Sequence, residues 1–191
     1  MGNEFEGKVA VVTGSGGIGL GAALKLAREG AAVYVCGIDD DHNAKARATG
    51  KGLNFTVSHA DVADEAAVSD WINEIGNKAD GIDILVNAAA IQTYGDIETT
   101  DSAHWDRVMG VNLRSCFLTS HHVYPFMKSR GSGAIVHVSS VQGFSNQNNV
   151  LAYATTKGAI HAMTRAMAVD CVKRQCSGKL RGPRVHPNIA A

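Results

Sequence analysis

Tyr153 and Lys157 stand four residues apart in Tyr153-Ala-Thr-Thr-Lys157, so a helix places them on one face. The stripe continues through Ile160, Thr164 and Met167, which leaves Lys157 on a face otherwise apolar or only mildly polar. An ammonium buried there needs a partner. A cation held ~4 Å from a phenol oxygen, at an effective dielectric of about 20, favours the phenolate by ~4 kcal/mol. That is roughly three pKa units, enough to bring a phenol of reference value about 10 into range for proton transfer near neutral pH. The pair is a candidate acid/base with its activator. The plainer alternative is an ordinary, partly exposed i,i+4 pair, since so short a pattern recurs by chance.

A second group of residues has the chemistry of phosphate binding. The apolar run Lys8–Thr13 leads directly into Thr13-Gly14-Ser15-Gly16-Gly17-Ile18-Gly19. Gly14, Gly16 and Gly19 spell G-x-G-x-x-G between a strand and a helix start. There, glycines permit a tight turn and close backbone approach to a pyrophosphate, and the helix N-terminus offers free N–H groups and partial positive charge. The alternative is a close-packed turn without a ligand. Asp39, just past the second strand, is placed to hold adenosine ribose hydroxyls, although two positions later than the ideal. No Arg or Lys in the loop or at that strand end receives a 2′-phosphate, which leans toward NAD over NADP. Asp61 is either an adenine contact or a helix-capping carboxylate. Ser139-Ser140 end the fifth strand, where open α/β sheets place their ligands. Asn112 occupies a helix face shared with Trp105, Met109 and Cys116; a buried amide there must be hydrogen-bonded, for structural or functional reasons.

The elements that must position these groups alternate along the chain. Strands are expected at Lys8–Thr13, Ala31–Cys36, Asn54–Ser58, Ile82–Asn87 and Ala134–Ser139. Helices are expected at Ile18–Glu29, Asp64–Asn77 (with Asp64 as N-cap), Ser102–Lys128 ending near Pro125, and Leu151–Val172. Continuous apolar strands between helices imply a Rossmann-like α/β fold, a doubly wound parallel sheet with helices on both faces. Residues 1–172 form the dinucleotide-binding domain in this reading. Residues 173–191 form a basic, irregular tail.

Taken together, the residues from 7 to about 172 resemble the short-chain dehydrogenase/reductase superfamily. The resemblance rests on the Thr13–Gly19 loop, Asp61-Val62, Leu85-Val86-Asn87-Ala88-Ala89, Asn112, Ser140 and Tyr153-x-x-x-Lys157, in that order. The thirteen-residue step from Ser140 to Tyr153 is the family's usual one. The resemblance implies hydride transfer between a nicotinamide of NAD or NADP and the carbon of a small-molecule secondary alcohol or ketone. Tyr153 would be the general acid/base and Ser140 the donor to the substrate oxygen. Lys157 would activate Tyr153 and bind the nicotinamide ribose, and Asn112 would hold a proton-relay water. Gly14, Ser15, Gly16, Gly17, Ile18, Gly19, Asp39, Asp61, Val62, Asn87, Ala88, Ala89, Tyr153 and Lys157 would bind the cofactor. The family also implies a homo-oligomer.

Three departures from the family pattern stand out. The glycine loop is one residue shorter than T-G-x-x-x-G-x-G. The usual N-N-A-G reads Asn87-Ala88-Ala89-Ala90. The end, from Lys173, carries neither a Pro-Gly turn nor an apolar run, so the sheet is expected to lack the family's last strands. A truncated, inactive product that binds a dinucleotide or pairs with a full-length relative is therefore the alternative function.

Composition narrows the partners. The 18 bases and 18 acids cancel, which gives no general attraction to nucleic acid. No acid follows Asp170, however, whereas Lys173, Arg174, Lys179, Arg181 and Arg184 do. No metal site is expected, because His121-His122 has no second ligand cluster. The four cysteines show no C-x-x-C pair and the start lacks an apolar signal region, so a reduced, cytoplasmic protein without a membrane span is expected.

Overall fold

In the computed structural model the backbone is described for residues 3–175 and 184–188, and side chains for residues 3–171. β1 (Val9–Thr13) is buried at every position. Its alternation divides between two cores. Val9 and Val11 join one, with Leu85, Ile135, Trp71 and Leu118. Ala10 and Val12 join the other, with Val33, Val35, Ala23 and Ala27. Both faces of the central strand are therefore dry, which is why it reads as a continuous apolar run.

β2 (Ala32–Gly37), β3 (Phe55–His59), β4 (Ile84–Asn87) and β5 (Ala134–Val138) lie within a residue or two of the expected strands. Together with β6 (Arg184–Asn188) they form one parallel sheet in the order β3-β2-β1-β4-β5-β6. α1 (Gly17–Arg28) packs Ala23 and Ala27 on one face of the sheet. α3 (Glu65–Lys78) covers the other, and Asp64 caps it by accepting from the N–H groups of Ala66 and Ala67. Asp83, buried at the foot of β4, accepts from Val9 N at 3.0 Å and pairs with Lys8 and Arg130. One carboxylate thus ties the N-terminal ends of two strands to the far end of a helix.

Several expectations need correction. A polar helix, α2 (Asp40–Thr49), follows β2; it buries only Asn43 and Ala46 and so has little apolar period to reveal it. The long helix after Ser102 is divided into α4 (Ser102–Met109), one π turn (Gly110–Arg114) and α5 (Ser115–Ser129). α5 runs through Pro125 rather than ending there, because burial of Val123 and Met127 holds the turns on either side. α6 spans Leu151–Gln175 and crosses residue 172 without a break.

Within the stretch read as an irregular tail, residues 184–188 pair in parallel with β5 as a sixth strand, one of the two strands expected to be lacking. β5 would otherwise present unpaired backbone groups on that side. Pro187, which lacks an N–H, is tolerated because β6 is an edge strand. Cys176, Lys179 and Arg181 lie outside the described residues.

His137, fully buried in β5, accepts at Nδ1 from the Asn87 amide at 3.1 Å, and Asn87 accepts from Thr119 Oγ1 at 2.8 Å. An amide nitrogen only donates, so the imidazole is neutral and carries its proton on Nε2. Burial pushes its pKa down to about 4. The unfolded chain protonates this histidine near its reference value of about 6.5, whereas the folded chain does not until about pH 4. Folding stability is therefore lost as pH falls through this window, by up to about 3 kcal/mol. Urea unfolding at pH 7 and pH 4.5 tests this. The His137→Asn variant, which keeps an acceptor for Asn87, is expected to lose about 2 kcal/mol less than the native chain on acidification.

Candidate active site

The strand order reverses between β1 and β4, and the C-terminal ends of these strands open into a cleft of about 650 Å³. This is where open α/β sheets bind ligands. Thr13, at the end of β1, accepts at Oγ1 from the N–H groups of Ala88 and Ala89, both at 3.2 Å, so the two strand exits are latched together. Gly14 has φ +93° and donates to Cys36 O at 2.8 Å; a Cβ on it would stand 3.1 Å from Ala89 N. A Cβ on Gly19 would collide with the Gly14 carbonyl. These two glycines are demanded by the loop's own packing.

Gly16 precedes α1 and supplies no side-chain cap, so the first helix N–H groups stay available to an anion. Gly14, Ser15, Gly16, Gly17 and Ile18 all line the cleft, whereas Gly19 lies beneath them. The shortened loop thus still forms an open helix N-terminus over a space where a pyrophosphate fits.

One end of the cleft is built from β2, α2 and the turn after β3. Gly37 closes β2, and a Cβ there would strike the Ser15 hydroxyl. Asp39 caps α2 by accepting from His42 N at 2.7 Å, and the His42 ring nitrogen Nδ1 stands 3.4 Å from the same oxygen. Asp61 serves two purposes. Oδ1 accepts from Ala63 N at 2.9 Å, as a turn cap, and Oδ2 pairs with Arg107 at 3.1 Å while the residue lines the cleft beside Val62.

At the other end, α6 brings Tyr153 and Lys157 into the cleft opposite Ser140. Lys157 is only 3% exposed, donates to the Val138 carbonyl at 2.9 Å, and lies 5.4 Å from the centre of the Tyr153 ring. Burial lowers its pKa. The Cys116 thiol is itself pushed up to about 11 by burial, so it is neutral at pH 7 and supplies no counter-charge.

The two serines divide their tasks. Ser139 is buried, donates to Lys157 O at 2.9 Å and touches His161 Nε2 at 3.0 Å. Ser140 accepts from Gln142 N at 3.2 Å, which leaves its own hydrogen free for a ligand.

Asn87 and Asn112 are placed behind the lining rather than in it. Asn87 belongs to the His137 network, while Ala88, Ala89 and Ala90 face the cleft. Asn112 accepts from Ile91 N at 2.8 Å and donates to Ile91 O at 2.9 Å. The π turn carries this amide to the loop after β4. Among the described residues, no three His, Cys, Asp or Glu side chains converge as metal ligands, and no helix is long and apolar enough to cross a membrane.

A family model described as short chain dehydrogenase matches residues 8–177. The chain belongs to this family. It is 35% identical to cyclopentanol dehydrogenase of Comamonas testosteroni over 193 residues, covering all of this chain and 76% of that one. It is 34% identical to D-beta-hydroxybutyrate dehydrogenase of Cupriavidus necator, covering 98% of this chain and 76% of that one. The crystal structure of a short chain dehydrogenase from Mycobacterium smegmatis superposes with a TM-score of 0.86 at 27% identity, covering 97% of this chain and 77% of that one. The protein is thus an NAD(P)-dependent short-chain dehydrogenase/reductase with a Rossmann-type sheet and a small-molecule substrate.

Sequence reasoning missed Ile38, His42 and Arg107, all of which line this dehydrogenase cleft. The Asp39-x-x-His42 spacing is a capping signal that could have disclosed α2 and with it His42. Nothing local marks Arg107, which reaches Asp61 from 46 residues away.

Two substitutions probe the geometry. Gly14→Ala forces a side chain into the left-handed region against Ala89, and is expected to weaken NADH binding at least about tenfold in a fluorescence titration. Asn112→Ala orphans both polar groups of Ile91, and is expected to lower unfolding free energy by about 2 kcal/mol or more in urea.

Proposed function

We propose that this protein interconverts a secondary alcohol and a ketone, with NAD ahead of NADP as hydride carrier. The observation that carries the reading is one cleft gathering the glycine loop, Ser140, Tyr153 and Lys157, with a buried ammonium beside the phenol. In the oxidative direction an alcohol and NAD⁺ give a ketone, NADH and a proton. A bound nicotinamide supplies the acceptor, at C4, for the hydride that leaves the carbinol carbon.

The chain's own groups handle the proton and the charge. Tyr153 Oη takes the hydroxyl proton. Ser140 Oγ, held by Gln142 N–H, donates to the substrate oxygen and stabilises negative charge there. Lys157 has no carboxylate beside it to spend its charge on among the described residues, so its field acts on the phenol oxygen. After its bond to Val138 it keeps two donors, enough for ribose hydroxyls. The Asn112 amide is committed to the Ile91 backbone, which holds the loop after β4 beside the cleft.

The lean toward NAD is supported by charge. Asp39, Asp40 and Asp41 open α2 beside the cleft, and the only cleft-lining base on the glycine loop, β2 or α2 is His42. A 2′-phosphate would meet the Asp39 carboxylate there, with Asp40 and Asp41 following it in sequence.

Tyr153→Phe is expected to reduce kcat by about 10²–10⁴-fold while the NADH dissociation constant stays within about twofold, read by steady-state kinetics and fluorescence titration. Asp39→Asn is expected to lower the NAD-over-NADP ratio of kcat/KM by about tenfold.

A further inference from the structure

Two segments joined beside the catalytic elements have a one-sided charge. The segment after β4, residues 88–101, contains Asp96, Glu98 and Asp101, all exposed, and no Lys or Arg. The segment after β5, residues 139–150, contains no charged side chain at all. The structure joins these segments. Gly95 pairs in parallel with Val150, Gly95 N donates to Asn149 O at 2.8 Å, and Leu151 N donates to Gly95 O. Ser140 is the second residue of the second segment and Tyr153 follows it within the first turn of α6, so the joined segments form the wall next to the reacting groups.

The surface of that wall is apolar and amide-rich. Tyr94, Ile97 and Phe144 are 67%, 82% and 66% exposed. A side cavity of about 370 Å³ opens between Ile97, Asp96, Gln142, Gln147 and Leu151. Asp96 stays charged throughout the neutral range. Its carboxylate accepts from Thr99 Oγ1 at 2.7 Å and from the N–H groups of Thr99 and Glu98, and these bonds hold its pKa below the usual carboxylate range. Of the two cleft-lining cations, Lys157 is buried and bound to Val138, and Arg107 is paired with Asp61.

We propose that the substrate is an uncharged secondary alcohol or ketone with an apolar body, and that the carboxylates of the 88–101 segment discriminate against anionic substrates such as hydroxy acids and sugar acids. The inference rests on the alcohol/ketone reading above. Among the described residues, a carboxylate substrate would meet like charge on the 88–101 segment and no base on either joined segment, a penalty paid in encounter rate and in affinity. An ester or an alicyclic alcohol would lose water against Tyr94, Ile97 and Phe144 and present its polar atoms to side-chain amides. Specificity would then come from repulsion as much as from fit.

The test compares matched pairs with the full chain and NAD: methyl 3-hydroxybutyrate against 3-hydroxybutyrate, and methyl 3-hydroxycyclopentanecarboxylate against its free acid. The neutral member of each pair is expected to have the higher kcat/KM, by about 30-fold or more at low salt, and the ratio should shrink as salt rises. Asp96→Asn keeps the turn's acceptor but removes the charge. It should narrow the ratio about threefold or more, chiefly by raising kcat/KM for the acids. Glu98→Lys, which alters a side chain that takes no part in the turn's hydrogen bonds, is the second charge variant and should narrow it further.

Acids used as well as their esters, or a ratio insensitive to both variants, would overturn the proposal. Binding of each pair to the NADH complex, followed by saturation-transfer NMR, separates the two levels. Esters that bind in preference to acids without any turnover would uphold the substrate class and contradict hydride transfer.

Discussion

A single buried ammonium organises this molecule. Lys157 gives up water almost completely, and burial works against its charge. What compensates is one carbonyl, that of Val138 at the end of β5. An ammonium in that position tolerates little displacement, because losing the bond would leave a charge unpartnered in a dry site. The bond therefore keys α6 onto the sheet in one register. Ser139 adds a second tie, from its hydroxyl to the Lys157 carbonyl. With α6 keyed in this way, Tyr153 one turn earlier comes to stand beside the cation, across the cleft from the serine that follows Ser139.

The cofactor end depends on a comparable constraint of the backbone. Latching Ala88 and Ala89 to Thr13 brings the exits of β1 and β4 so close that Gly14 has no room for a side chain. The same closeness leaves the start of α1 uncapped by any side chain and facing the opening. The glycine loop and the buried lysine thus act from opposite ends of one strand-order reversal. Between them, the polar network of Asn87, Thr119 and His137 fills the sheet interior without contributing to the cleft surface.

Much of this was legible in the sequence. Strands buried on both faces announce themselves as unbroken apolar runs, and glycines at strand-to-helix turns have few other uses. The Tyr153–Lys157 spacing gave both the helix face and the partner. What stayed hidden was either polar or long-range. α2 buries two small side chains and carries no apolar period. β6 is a short edge strand containing a proline, in a stretch whose basic composition reads as irregular. The π turn shifts Asn112 toward Ile91, and no spacing rule anticipates an amide used to hold a backbone peptide 21 residues away. Asn87, which the family resemblance ties to the cofactor site, turns its side chain to the buried His137.

The central claim is that the Tyr153–Lys157 pair serves a hydride transfer rather than binding alone. The most direct measurement incubates the full chain with NAD and an uncharged secondary alcohol deuterated at the carbinol carbon, then examines the nicotinamide by NMR and mass spectrometry. The account predicts one deuterium at C4 of the reduced cofactor, on one face only, and none with the Tyr153→Phe variant. Saturable NAD binding with no deuterium transferred to C4, from any alcohol of that class, would contradict it.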